Sequence, residues 1–264
     1  MQDPRKPRER EHEYGAEVHI LDDPFLTSLL ARIGHPSTTT PQLRELVRHT
    51  YHGLLAAALV DFPQRFDRVE TRMSAHGPEG EWSGAILDPD TEVVLACIVR
   101  AGVLPAEACY EALAQVLDPA GLRIDYLSMS RRVDAAGKVV GTDDAGLKLG
   151  GSLRDKVLLI PDPMGATGGT IERVLELYDE AGLGPAKQAI ALPMIATPEF
   201  CRRLAGKRAE FAIWTARLDR GRSSARALAA KPGAFPDEES GLTDEHYIVP
   251  GAGGIGELLT NSWV

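Results

Sequence analysis

The stretch that most constrains this chain is "VLLIPDPMGATGGTIERVLELY", residues 157–178. Val157, Leu158, Leu159 and Ile160 read as a short buried strand. Ile171, Val174, Leu175 and Tyr178 then recur at i, i+3, i+4 and i+7, the spacing of one helix face. Gly182 follows as a natural helix stop. Between strand and helix lies a turn of small residues. The start of a helix leaves backbone N–H groups unpaired and carries partial positive charge. Thr167, Gly168, Gly169 and Thr170 therefore predict a phosphate cradle, with glycines that admit a ligand close to the main chain and two hydroxyls as further donors. No lysine follows the glycines, so this is not the nucleotide-triphosphate loop, and the spacing is not G-x-G-x-x-G. Asp162 stands at the carboxyl end of the strand, where open α/β sheets bind ligands. A carboxylate repels a phosphate laid on it but suits the hydroxyls of a sugar attached to that phosphate. The local reading is a phosphorylated sugar, its phosphate on the threonine-glycine loop and its ribose hydroxyls on Asp162.

Apolar, β-branched runs recur along the chain with helical stretches between them. Strands are expected at 93–99, 124–128, 157–160, 189–195, 211–218 and 247–249, and helices at 106–117, 171–180 and 198–204. "PQLRELVRHTYHGLLAAALVDF" predicts a long helix with Pro41 near its start. This alternation predicts an α/β fold, a mostly parallel sheet flanked by helices. Two segments read as loops: 133–152, where Gly and Asp recur, and 222–240, polar and broken by proline.

The 264 residues, 44% of them hydrophobic, suffice for one sizeable core or at most two small ones. No uninterrupted apolar run is long enough to span a membrane. The segment 1–17 is charged throughout, with no apolar stretch of a secretory signal, and is expected to be a mobile arm. Cys97, Cys109 and Cys201 are odd in number and widely spaced, which fits neither a disulfide framework nor a zinc site and predicts a reducing, cytoplasmic setting. A net charge of −9 advertises no nucleic-acid surface. His49 and His52 lie three apart on the long predicted helix, with no third ligand in view. The three tryptophans, Trp82, Trp214 and Trp263, read as packing residues.

Several segments together resemble the uracil phosphoribosyltransferases. "DPMGATGGT" is similar to their signature for phosphoribosyl diphosphate (PRPP), "IVRAGVL" to their Leu-Arg-Ala-Gly segment, "SMSRR" to a second arginine-bearing strand end, "LKLGGSLRDKVLLI" to the approach to the signature, and "YIVPGAGGIGE" to the C-terminal base-binding segment. The order is that of the family, and the resemblance covers roughly residues 18–259. It implies a type I phosphoribosyltransferase fold, Rossmann-like, with a small C-terminal hood over the active site. It implies one phosphoribosyltransferase domain over 18–264, with an insertion near 222–241, and a homodimer or higher homo-oligomer. It implies transfer of phosphoribosyl from PRPP to a nucleobase nitrogen with release of diphosphate, uracil giving UMP. By position, Asp162, Pro163, Met164, Gly165, Ala166, Thr167, Gly168, Gly169 and Thr170 hold PRPP. Arg100 and Arg131 contact the diphosphate, and Asp162 and Arg131 take the catalytic roles. Guanidinium forks suit phosphate oxygens and stay charged. Magnesium rides mainly on substrate oxygens. Main-chain groups of Ile248, Gly253, Gly254 and Ile255 read the base. The loop 133–152, with Asp143, Asp144 and Lys148, is a candidate to close over the site.

The chain also departs from the pattern. Gly254 stands where the family has an aspartate and Ile255 where it has an alanine. Gly165 replaces a leucine and is expected to leave a gap. These departures keep two alternatives open: a phosphoribosyltransferase for another ring base, and a non-catalytic PRPP or nucleotide-binding sensor or assembly subunit.

Overall fold

The buried strands alternate their side chains between two cores. In the strand 93–99, Val93 and Leu95 pack on one side and Val94, Ala96 and Ile98 on the other, as the two-residue period of a strand requires. The computed structural model describes residues 7–133 and 139–262, without the side chains of 130–145. In chain order the elements are β1 (Val18–Ile20), α1 (Pro24–Ile33), α2 (Thr40–Ala58), β2 (Gln64–Glu70), β3 (Glu81–Leu87), β4 (Val93–Val99), α3 (Val103–Leu113), β5 (Leu122–Val133), β6 (Val139–Lys148), β7 (Val157–Ile160), β8 (Met164–Gly165), α4 (Gly169–Glu180), β9 (Gln188–Ala191), β10 (Ile195–Ala196), α5 (Pro198–Leu204), β11 (Phe211–Thr215), β12 (Arg217–Leu218), α6 (Ala225–Ala229) and α7 (Ile255–Thr260).

The main sheet runs β1-β11-β9-β7-β4-β5-β6. Its neighbours are parallel except β5 and β6, which pair antiparallel. Residues of α1, α2, α3 and α7 cover one face and residues of α4 and α5 the other. The expected α/β architecture is therefore observed. The helix α2 begins with Gln42 accepting from the Thr39 N–H at 3.1 Å and buries Leu43, Leu46, Val47, Tyr51 and Leu54. A second, smaller sheet, β12-β10-β8, is parallel and sits beyond the carboxyl ends of β11, β9 and β7.

Several expectations change. The run 189–195 is two strands, β9 and β10, and 211–218 is β11 and β12, because the chain crosses from the large sheet to the small one in each. The segment 247–249 is not a strand; Ile248 makes a single bridge to Leu242, and Tyr247 is exposed. The expected loop 133–152 is largely β6, laddered on β5 from Tyr126↔Lys148 to Val133↔Val139. Its glycines and aspartates hid a strand whose ladder is completed by β5. Residues 134–138, the side chains of Asp143 and Asp144, and Trp263 lie outside the described residues. The strand β1, the helix α1 and the β2–β3 hairpin were not foreseen.

The charged arm is also tied down from residue 8 onward. Arg10 N–H donates to Ile20 O at 2.7 Å and Glu13 N–H to Pro232 O at 2.8 Å. Tyr14 is buried, and its hydroxyl donates to Glu239 at 2.6 Å. Glu239, only 3% exposed, also accepts from Arg220 at 2.7 Å and from the Gly233 N–H at 3.0 Å. A buried carboxylate needs such partners. The 222–241 segment carries α6 and is held against the N-terminal segment and α5, where Arg202 donates to Glu239 O at 3.1 Å.

Candidate active site

The neighbouring strands β4 and β7 end near each other, and β5 runs on past them to Val133. Register pairs Val99 of β4 with Ser128 of β5 and Leu95 of β4 with Leu159 of β7, so the turns after β4 and β7 meet at one edge. The turn after β4 holds Arg100, Ala101 and Gly102. A Cβ on Gly102 would lie 2.7 Å from Ile98 O and 3.2 Å from Pro161 O. Only glycine permits this approach, which brings the Arg100 turn against the entry to the Asp162 loop.

Asp162 is half-buried just past β7. Its charge is the second cause, after burial, that holds the phenol of fully buried Tyr51 well above its ordinary pKa. Met164 and Gly165 form β8, and α4 starts at Gly169 after the turn Ala166, Thr167 and Gly168. Gly168 is left-handed at φ 78°, and Thr167 Oγ1 accepts from the Gly169 N–H at 3.4 Å. The remaining first-turn N–H groups of α4 have no acceptor within the helix. The strand–loop–helix-start arrangement read from the sequence is thus present, with α4 beginning two residues earlier than expected. Arg203 of α5 lies behind the loop. A Cβ on Gly169 would stand 3.3 Å from its Nη1, and its Nε donates to Glu172 in the first turn of α4 at 2.8 Å. Arg203 and Lys207 together lower the Glu172 pKa, the Lys207 hydrogen bond being the largest cause. Gly165 leaves no gap. A Cβ there would meet Phe200 and Pro193 at 3.0 Å, so those rings occupy the room a larger residue would need.

Arg100 is exposed and donates to Ser262 Oγ at 3.0 Å, just beyond α7. Arg131 is placed by its backbone alone. It lies in β5, paired with Thr142 and three residues past Ser128, and its side chain is outside the described residues. The C-terminal segment approaches the same edge. Ile248, Ala252 and Ile255 are buried in the core that contains Tyr51, and a Cβ on Gly256 would be 3.5 Å from Ala101 Cβ. Arg100, the Asp162 loop and the 248–257 segment are therefore brought together. His49 and His52 meet edge-on at 6.4 Å, and among the described residues no three His, Cys, Asp or Glu side chains cluster as a metal site.

Sequence reasoning missed the residues that hold the C-terminal segment. Asp219, 2% exposed, follows β12. It accepts from Arg217 Nε at 2.6 Å and Nη2 at 2.7 Å, and from the Gly251 N–H at 2.8 Å. Arg217 Nη2 also donates to Gly251 O at 3.1 Å. Both main-chain groups of Gly251 are thus gripped by one ion pair. The small sheet carries this grip to the loop, since Arg217 pairs with Ile195 and Ile195 with Met164. A carboxylate just past a predicted strand was the signal that singled out Asp162, and Asp219 carries the same signal.

Comparison with known proteins places the chain in a family. The family model described as uracil phosphoribosyltransferase matches residues 20–238. The chain belongs to the uracil phosphoribosyltransferase family. It is 25% identical over 242 residues to "Uracil phosphoribosyltransferase" of Sinorhizobium fredii, covering 92% of this chain and 97% of that protein. It is also 25% identical over 246 residues to the protein of the same name from Pyrococcus furiosus, covering 92% and 89%. Among solved structures, the AQ2163 protein from Aquifex aeolicus aligns with a TM-score of 0.66 at 23% identity over 92% of this chain and 97% of that one, which shows a shared fold. The matched span includes the Asp162–Thr170 loop and ends before residue 254.

Proposed function

We propose that this protein transfers the phosphoribosyl group of PRPP to a ring nitrogen of uracil, forming UMP and releasing diphosphate. The C1′–oxygen bond to diphosphate breaks, the C1′–nitrogen bond forms, and the ring nitrogen loses its proton. The observation that carries this reading is the meeting of three turns at one sheet edge: the Asp162–Thr170 loop, the Arg100 turn and the 248–257 segment. In this reading the loop N–H groups and the hydroxyls of Thr167 and Thr170 receive the 5-phosphate. Asp162 accepts from the ribose hydroxyls. Arg100, released from Ser262, and Arg131 face the diphosphate, where charge grows as the bond breaks. Main-chain groups of Ile248, Gly253, Gly254 and Ile255 pair with the base.

The donor set suits magnesium carried by the substrate. Asp162 is the one carboxylate of the loop, and the described residues form no protein cage. Asp162 would hold the ion together with substrate oxygens, and the ion would supply positive charge to the diphosphate. The exposed Phe66 and Trp82 of the β2–β3 hairpin, 72% and 46% accessible, support a second copy of the chain as partner. Among the described residues no helix is long and apolar enough to cross a membrane, and the three buried free cysteines suit a cytoplasmic, reducing setting.

The test is diphosphate release with PRPP, magnesium and a panel of bases. Uracil turnover is expected; turnover with another base alone would replace the acceptor. A second reading, a PRPP binder without turnover, draws on Gly254 and is favoured if PRPP binds while every base fails.

A further inference from the structure

Gly254 removes a side chain from the base segment, and Glu257 refills the space. A Cβ built on Gly254 would lie 2.5 Å from Glu257 Oε2 and 3.4 Å from its Cδ. In an aspartate, two bonds of about 1.5 and 1.2 Å at an sp² angle put each carboxylate oxygen ~2.4 Å from Cβ. The Glu257 oxygen thus stands at the radius from residue 254 that an aspartate's own oxygen would have. Glu257 reaches it from the first turn of α7. Residue 254 precedes α7 directly, so this placement has the outline of a capping box, in which the third helical residue accepts from the N–H of the cap. That bond is absent here. Among the described residues the Glu257 carboxylate makes no hydrogen bond or ion pair, although the residue is half-buried. A half-buried carboxylate without a partner, set beside Gly254, is placed to receive a donor.

We infer that Glu257 is a ligand-contacting specificity residue whose carboxylate accepts a hydrogen bond from a neutral N–H or O–H donor of the ligand, delivered over Gly254 from three residues downstream. The inference rests on the reading of a joint PRPP and base site. The position of Gly254 within the base segment favours a ring N–H of the base; a ribose hydroxyl is the other source of the same chemistry. It reverses the simple expectation for Gly254. Inserting an aspartate at 254 in the presence of Glu257 forces two carboxylates into one space, where like charges repel.

The experiment measures steady-state kinetics with uracil, PRPP affinity and UMP affinity by calorimetry, and melting temperature, on full-length wild type, Glu257→Gln, Glu257→Asp, Gly254→Asp and the double variant Gly254→Asp/Glu257→Ala. Glu257→Gln keeps the shape and is expected to lower kcat/KM for uracil by about tenfold or more, the scale of a lost charged hydrogen bond. Glu257→Asp withdraws the oxygen by ~1.5 Å, one carbon–carbon bond, and should fail likewise. Gly254→Asp alone should lower activity, and the double variant should recover most of it, a rescue that a purely structural Glu257 would not produce. Unchanged PRPP affinity in Glu257→Gln places the contact on the base; an equal loss of PRPP affinity supports the contact and places it on the ribose. Wild-type kinetics and wild-type UMP affinity in Glu257→Gln overturn the inference, as does a loss that only tracks melting temperature. Should the wild type bind UMP without turning over uracil, the proposed activity fails, and the UMP affinities of the same variants decide the role of Glu257. A wild type that binds neither PRPP nor UMP overturns both.

Discussion

Asp219 offers the sharpest perturbation of this site because it touches no substrate in the proposed reading and yet holds the base segment. It is 2% exposed and receives Arg217 twice, at 2.6 and 2.7 Å, and the Gly251 N–H at 2.8 Å. Asp219→Ala leaves the Arg217 guanidinium half-buried without its counter-ion and orphans the Gly251 N–H. Removing one partner of a buried ion pair costs about 3–5 kcal/mol. At roughly 2–4 °C per kcal/mol for a chain of this size, the melting temperature should fall by roughly 6–20 °C. The functional loss should be uneven. The grip acts directly on Gly251, so KM for the base should rise well beyond any change in PRPP affinity, because the Asp162 loop, which the small sheet also reaches, is joined directly to β7 and α4. Melting curves, base kinetics at saturating PRPP and calorimetry with PRPP measure the three quantities below the new transition. A melting temperature within a degree or two of wild type would refute the energetic argument. Equal losses in base and PRPP binding would refute the assignment of the ion pair to the base segment.

Other outcomes follow from the same geometry. Asp162→Asn keeps the shape of the loop and removes its charge, and turnover should fall by on the order of a hundredfold; near wild-type turnover with the cognate base would remove Asp162 from the reaction. His12 bonds through both ring nitrogens, Nε2 with Val18 O at 2.7 Å and Nδ1 with the Tyr14 N–H at 3.2 Å, which only the neutral ring satisfies. Its pKa lies below 6.5, burial being the main cause. The folded state therefore binds fewer protons than the unfolded chain, and this contribution, present above pH 6.5, is lost as the pH falls below it. Amide exchange at Tyr14 should accelerate on acidification in wild type, and a rate independent of pH after correction for intrinsic exchange would contradict this. Burial raises the thiols of Cys97 and Cys201 to about 12 and that of Cys109 further, so all three should resist a thiol reagent until the protein unfolds; rapid labelling of the native protein would show a looser core.

The sequence alone determined the parts governed by local chemistry. The run Val157–Ile160, the small residues through Thr170 and the helical spacing of Ile171 to Tyr178 specified strand, loop and helix, because period, glycine and helix-start chemistry act over a few residues. Asp162 was legible for the same reason, as a charge at the end of an apolar run. Other features depend on residues far apart in the chain. Nothing near 133–152 announces β6, since its ladder is supplied by β5. The arm around Tyr14 reads as solvated charge until Glu239, more than two hundred residues away, supplies its buried partner. Gly165 reads as a gap until Phe200 and Pro193 fill it. Asp219 and Arg217 become a grip only when Gly251 is folded between them. Glu257 gains its meaning from the side chain that Gly254 lacks. Hydrogen bonds and close packing join groups by distance in space, and that distance is decided by the tertiary fold.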